Sequence, residues 1–244
     1  MQVQRLDLSL PVHRTYSSWV RHPGVEEACN RLGMWLIQGG MLWLCSRGVA
    51  GKTHLLQMLA ADHPALGLCT VSRMDPRAPY VQVNEWAQFL KPYAFWAIDV
   101  PAGPVHRASM LALFHLIERA RCMGRPLLIS WRVAIDATLP AELGSRLVGM
   151  LEKVDIAPPP DDEWLRAVMR SICNDLQWVV EDRVLDTILS FLPRQLEVIA
   201  PALDHLERLS LAQRRRRLSQ AWVRESLAAW LQRDSAQDEG GVQD

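Results

Sequence analysis

Hydrophobic positions along the chain switch between two patterns. Short apolar runs bounded by turn residues alternate with longer segments in which apolar side chains recur every three to four positions. The runs are Met41-Leu42-Trp43-Leu44-Cys45, Leu68-Cys69-Thr70-Val71, Ala94-Phe95-Trp96-Ala97-Ile98, Pro126-Leu127-Leu128-Ile129 and Val154-Asp155-Ile156-Ala157. They read as buried strands. Helical spacing covers Val25 to Ile37, with Ala28, Leu32, Trp35 and Leu36 on one face, and His54 to Ala60. It returns at Val83 to Leu90, at Ser109 to Met123 with Met110, Leu113, Phe114 and Ile117 on one face, and at Leu139 to Leu147. Alternation from residue 41 to 157 predicts an α/β fold, a parallel sheet with helices on both faces.

The pattern changes at Pro158-Pro159-Pro160, a boundary signal. Asp161-Asp162-Glu163 then reads as an acidic helix start, favourable to the helix dipole. Trp164, Leu165, Val168, Met169, Ile172 and Leu176 follow at helical spacing, and Asp182 to Leu192, Arg194 to Leu209 and Ser219 to Gln232 make three further helices. The predicted organisation is an N-terminal peptide over 1–15, an α/β domain over 16–157, a small all-helical domain over 161–233, and a polar tail over 234–244 expected to be disordered.

Composition narrows the function classes. The 244 residues carry formal net charge zero, so no global field draws the chain to nucleic acid or anionic membrane. Apolar content of 49% is ample for a core. Five cysteines, none in Cys-x-x-Cys spacing, argue against a disulfide framework and for a reducing cytoplasm. No apolar run reaches the ~18 residues a membrane span requires, and the N-terminus lacks a secretory apolar region. The basic run Arg214-Arg215-Arg216-Arg217 reads as a solvated turn before it reads as a nucleic-acid contact, given the neutral balance.

Candidate chemistry centres on Ser46-Arg47-Gly48-Val49-Ala50-Gly51-Lys52-Thr53, lying between a strand and a helix. That layout is a phosphate-binding P-loop. Backbone N–H groups and the helix N-terminus face the phosphates, Lys52 reaches the β/γ-phosphates, and the Thr53 hydroxyl holds Mg²⁺. Ser46 stands where the usual pattern has glycine, which a negative φ tolerates. Downstream, an apolar run ends in Asp99, the form of a carboxylate that shares Mg²⁺ with Thr53. The next residue is Val100, not a second acid. A missing general base is worth ~10²–10⁴ in rate, so binding with poor hydrolysis is expected. The end of the following strand, Ser130-Trp131-Arg132, resembles the place where related folds keep a polar group that senses the γ-phosphate, a role Ser130 could fill. His115 is assigned no role.

Near the N-terminus, Leu6-Asp7-Leu8-Ser9-Leu10-Pro11-Val12 alternates as an extended peptide. Pro11 excludes a central strand. The bare pattern fits an edge strand or flap, or a peptide that docks in another protein's pocket.

A P-loop α/β domain followed by a helical lid resembles the AAA+ arrangement, and within it the chain is similar to the DnaA-related group, most of all the Hda family. Hda proteins mediate regulatory inactivation of the replication initiator DnaA. Asp7-Leu8-Ser9-Leu10-Pro11-Val12 is similar to the peptide with which they bind the DNA polymerase sliding clamp. Gly51-Lys52-Thr53-His54-Leu55-Leu56 is similar to the family's P-loop exit, Ser145-Arg146-Leu147 to its arginine-finger motif, and Arg194-Gln195-Leu196-Glu197 to its sensor 2 helix. The stretch Ala212-Gln213-Arg214 before the terminal helix is also Hda-like.

The resemblance implies roles. Leu8, Ser9, Leu10, Pro11 and Val12 would bind the clamp. Gly48, Val49, Ala50, Gly51, Lys52, Thr53 and His54 would hold ADP or ATP, with Val20 and Arg21 flanking the adenine and Arg194 reaching the phosphates from the lid. Arg146 would point at a nucleotide on a neighbouring AAA+ module, most of all DnaA, where such a guanidinium is worth ~10³–10⁵ in rate. The expected partners are the clamp and DnaA. A homo-oligomer is compatible, contact with DNA is expected to be indirect, and the setting cytoplasmic. Asp7, where the family has Gln, weakens the clamp motif. Ser46 and Val100 weaken the case for turnover, and the sensor 1 loop is short and lacks its Asp. No helix-turn-helix domain follows the lid, so direct origin recognition is not expected. The competing readings are a loader or remodelling motor, a DNA-binding adaptor using Arg214 to Arg217, and a paralogue that binds no nucleotide.

Overall fold

Each apolar run between residues 41 and 157 forms a strand: β1 (Met41–Ser46), β2 (Leu66–Thr70), β3 (Phe95–Val100), β4 (Leu127–Trp131) and β5 (Glu152–Ile156). All pair in parallel, in the order β2-β3-β4-β1-β5. Parallel neighbours need crossovers, supplied by α2 (Lys52–Asp62), α3 (Pro79–Leu90), α4 (Arg107–Cys122) and α5 (Ala141–Gly149), with α1 (Pro23–Gln38) ahead of β1. The computed structural model describes residues 19–132, 138–215 and 217–239, with side chains of the last helix described as far as residue 232. The peptide Leu8-Ser9-Leu10-Pro11-Val12, Arg216 and residues 240–244 lie outside the described residues.

Period-2 alternation divides the sheet's side chains between two cores. Trp96, Ile98, Val100, Leu127, Ile129 and Trp131 pack with Val83, Leu90, Leu113 and Ile117 of α3 and α4. Leu42, Leu44, Ala97, Leu128, Val154 and Ile156 pack with Val25, Leu32, Leu55 and Leu59 of α1 and α2. The polar residues that end three central strands continue the second set: Ser46 follows Leu44, Asp99 follows Ala97, and Ser130 follows Leu128. Strand parity therefore sends all three toward the α2 side.

Several boundaries differ from the periodicity, each for a physical reason. α2 begins at Lys52, not His54, because Gly51 takes the left-handed conformation (φ 78°, ψ 19°) and starts the helix at once. α3 begins at Pro79, a proline in the first turn, where its missing N–H costs nothing. β5 begins at the polar Glu152 because it is an edge strand. Its exposed residues Glu152, Lys153 and Asp155 alternate around buried Val154, and Glu152 pairs with Arg31 of α1.

A second compact unit begins at Asp161, where the first ends at Pro160. It contains α6 (Asp162–Asp175), α7 (Asp182–Phe191), α8 (Leu196–Ala212) and α9 (Gln220–Glu239). Asp161 caps α6, its carboxylate accepting from the Trp164 N–H at 3.0 Å. Leu165, Met169, Leu185, Ile188, Ile199, Leu203, Leu206, Val223 and Leu227 form its core. Two expectations need correction here. α8 starts at Leu196 rather than Arg194, because Gln195 is extended (φ −124°, ψ 125°) and follows Pro193-Arg194, so Arg194 precedes the helix that the resemblance placed it on. α9 runs to Glu239, into the stretch expected to be disordered. The next residue, Gly240, is the first strong helix breaker. Between α8 and α9, Arg214 is left-handed (φ 52°), and the Arg215 guanidinium lies 5.3 Å from the centroid of Trp222. Among the described residues no helix is long and apolar enough to cross a membrane.

Candidate functional site

The carboxyl ends of β1, β3 and β4 build the candidate site. Register sets Asp99 of β3 beside Ser130 of β4, and Ser130 beside Leu44 of β1, two residues short of Ser46. Asp99 is 2% exposed. Its Oδ1 accepts from the Ser130 hydroxyl at 2.8 Å and its Oδ2 from the Thr53 hydroxyl at 2.7 Å. A buried carboxylate is tolerated only when its lone pairs are met, and two hydroxyl donors meet them here. Strand ends and the first turn of α2 thus bring together the residues that the sequence nominated separately: Thr53, Asp99 and Ser130.

The loop between β1 and α2 is closed on itself. Ser46 is buried, donates its hydroxyl to the Gly48 carbonyl at 2.6 Å, and accepts from the Lys52 ammonium. Burial pushes the Lys52 ammonium below the ordinary lysine range. Ser46 is not among the residues with positive φ, so serine occupies this position without strain. Gly48 has open space where a Cβ would stand, Val49 is exposed, and Ala50 is buried in the core on the α1/α2 side. Gly51 is constrained twice, by its φ and by Trp19, whose Cη2 would lie 2.8 Å from an added Cβ.

Trp19, which the sequence pattern does not single out, packs against this loop. Its ring also meets His54, with centroids 5.3 Å apart, and its indole N–H is buried without a partner among the described residues. The expected base-flanking pair follows it: Val20 is half-buried, and Arg21 is exposed. The only signal in the sequence was an aromatic segment without period. Val100, where a second acid would serve as base, is buried in the core beneath α3 and α4 and pairs with Trp131.

Arg146 lies apart from this cluster, in the last turn of α5. Its Nε donates to Glu118 of α4, and its guanidinium carbon sits 5.6 Å from the Phe114 ring centroid. Arg194, in the helical unit, pairs with Asp162 through Nη2–Oδ2 at 2.9 Å. That contact holds the Asp162 carboxyl below its usual range. Among the described residues no group of three or more His, Cys, Asp or Glu side chains is placed to hold a metal ion. An open cleft of about 350 Å³, lined by Tyr80, Val83, Asn84, His115 and Arg119, lies between α3 and α4, away from the loop.

No protein-family model matches the chain. No curated protein matches it either. Solved structures do. Domain III of the replication initiation protein DnaA from Thermotoga maritima superposes with a TM-score of 0.67 at 17% identity, over 90% of this chain and 98% of that one. AMPPCP-bound DnaA from Aquifex aeolicus gives 0.57 at 15% identity, over 93% and 71%. The Thermotoga maritima RuvB Holliday junction branch migration motor gives 0.58 at 12% identity, over 88% and 72%. At these identities the likeness is one of fold: the five-stranded parallel sheet with its flanking helices is the fold this chain shares with the DnaA and RuvB structures.

Proposed function

We propose that this chain binds an adenine nucleotide, ADP or ATP, at the loop from Ser46 to Thr53, hydrolyses it poorly, and regulates replication initiation by acting on DnaA through Arg146. The observation that carries the reading is the meeting of Thr53, Asp99 and Ser130 beside Gly51 and Lys52, at the strand ends where open parallel sheets bind ligands. The likeness to an AMPPCP-bound DnaA supports it. Gly51 opens α2, so its turn offers backbone N–H groups and a positive dipole end to phosphate. Lys52 exchanges the Ser46 hydroxyl for phosphate oxygens.

Mg²⁺ fits the donor set. Thr53 Oγ1 and Asp99 Oδ2 are hard oxygens converging within 2.7 Å, the pair expected of an ion that takes its remaining ligands from phosphate and water. When bound, Mg²⁺ neutralises charge on the phosphate oxygens. Asp99 and Thr53 would orient it, and Ser130 fixes the Asp99 carboxylate. No side chain at position 100 can accept a proton from water, which supports binding over turnover.

Arg146 would then serve a nucleotide bound by DnaA, and Leu8, Ser9, Leu10, Pro11 and Val12 would dock the chain on the sliding clamp. Calorimetry with ADP and ATP, paired with phosphate release by this chain alone and with ATP-bound DnaA, tests the reading. Binding without turnover, and hydrolysis only in the mixture, is the expected outcome. Steady turnover by the isolated chain would favour the remodelling-motor alternative. No binding of either nucleotide would end the nucleotide reading.

A further inference from the structure

Arg146 is held by two residues of α4 spaced one helical turn apart, Phe114 and Glu118. Residues four apart share a helix face, so ring and carboxylate form one surface on which the guanidinium lies. Glu118 takes Nε, and Phe114 presents its ring 5.6 Å from the guanidinium carbon. The second Glu118 oxygen accepts from Arg121 Nη2 at 3.0 Å, which fixes the carboxylate's own orientation. Arg146 is 36% exposed and Glu118 23%, so the contact stands at the surface of the α/β unit. Among the described residues, Nη1 and Nη2 of Arg146 make no hydrogen bond. The guanidinium is thus tied by its inner nitrogen and one face, and its outer fork is unused.

We propose that Glu118 and Phe114 are positioning residues that aim the outer fork of Arg146 at an oxyanion carried by a second protein. This rests on the reading of Arg146 as a residue acting in trans. A guanidinium offers five donors in a fixed planar fork, and bidentate phosphate recognition uses the two outer nitrogens. Tying Nε leaves that pair intact while removing rotation about the chain that bears it. Misplacement by an ångström is enough to cost about 10²-fold in a positioned reaction. The ligand class is a phosphoanhydride oxygen on the partner's nucleotide.

The test compares Glu118→Ala, Glu118→Asp, Phe114→Leu and Arg146→Ala in the full chain, each first checked for an unchanged melting curve. Two quantities are read: nucleotide hydrolysis by ATP-bound DnaA in the mixture, and exchange of the Arg146 Nε proton by NMR. Glu118→Ala should lower stimulation about tenfold or more and speed Nε proton exchange, while leaving this chain's own nucleotide affinity unchanged. Glu118→Asp should restore part of both, and adding Glu118→Ala to Arg146→Ala should cost nothing further. Stimulation lost in Arg146→Ala but intact in Glu118→Ala and Phe114→Leu would overturn the positioning role and leave the in-trans role standing. Stimulation intact in Arg146→Ala would overturn both.

Discussion

The Thr53 hydroxyl donates to the Asp99 carboxylate across 2.7 Å, joining residues 46 positions apart in sequence. The bond makes the first turn of α2 and the end of β3 a single element. Replacing Thr53 by Val keeps shape and branching but removes the donor. Asp99 would keep only Ser130, and an underserved buried carboxylate costs about 1–3 kcal/mol. Thr53→Val is therefore expected to lower unfolding free energy by that amount and to abolish the Mg²⁺ dependence of nucleotide binding. Denaturant titration and calorimetry with and without Mg²⁺ check both. An unchanged Mg²⁺ dependence would remove Thr53 from the ion's ligands.

Ser46 occupies Lys52 through its hydroxyl. In the proposed function that contact must open before Lys52 reaches a phosphate. Ser46→Ala removes the competing acceptor and keeps the backbone. A hydrogen bond to a charged group is worth roughly 1.5–3 kcal/mol, part of which the ligand must replace. Nucleotide affinity is therefore expected to rise about three- to tenfold. Equal or weaker binding by Ser46→Ala in a direct titration would show that the hydroxyl helps to shape the bound loop instead.

The contact between Gly51 and Trp19 makes a separable pair. Alanine at position 51 would meet two penalties. One is the left-handed φ, about 1–2 kcal/mol, and the other is the indole 2.8 Å from its Cβ. Gly51→Ala should lose more stability in the wild-type background than in Trp19→Ala, where only the backbone penalty remains. A double-mutant cycle by thermal unfolding isolates the difference. Strict additivity would mean that Trp19 and Gly51 do not touch in solution.

The parts of the site that were legible in sequence are those whose signal is local. Gly51-Lys52-Thr53 after an apolar run specifies a strand, a left-handed turn and a helix. Asp99 and Ser130 both end apolar runs, and period-2 parity then fixes their shared face. The contacts that were not legible depend on which elements become neighbours. Nothing in Tyr16-Ser17-Ser18-Trp19 indicates that its last ring covers a glycine 32 positions later. Glu118 reads as one more polar position on α4 until α5 brings Arg146 against it. The likeness of Arg194-Gln195-Leu196-Glu197 to a sensor 2 helix puts Arg194 on α8, which begins only at Leu196. Periodicity does not register that Gln195 is extended and that Arg194 is drawn to Asp162. The apolar run starts two residues later than β5 because edge strands carry polar residues, here Glu152 and Lys153, that interrupt such a run.

Lys52 gives a pH dependence whose sign can be worked out. Burial holds its folded-state pKa below the unfolded value of a free lysine. In the alkaline window between those two values the unfolded chain binds more protons, so this group makes stability rise with pH. Phosphate oxygens beside the ammonium act in the opposite direction and raise its pKa on binding. Nucleotide binding in that window is therefore expected to take up protons, and affinity to fall as pH rises through it. Calorimetry in two buffers of different ionisation enthalpy measures the uptake directly. Lys52→Met should remove both the uptake and the slope. A wild-type uptake near zero across the alkaline range would mean that Lys52 stays fully charged in the free protein, or that it never meets the phosphates.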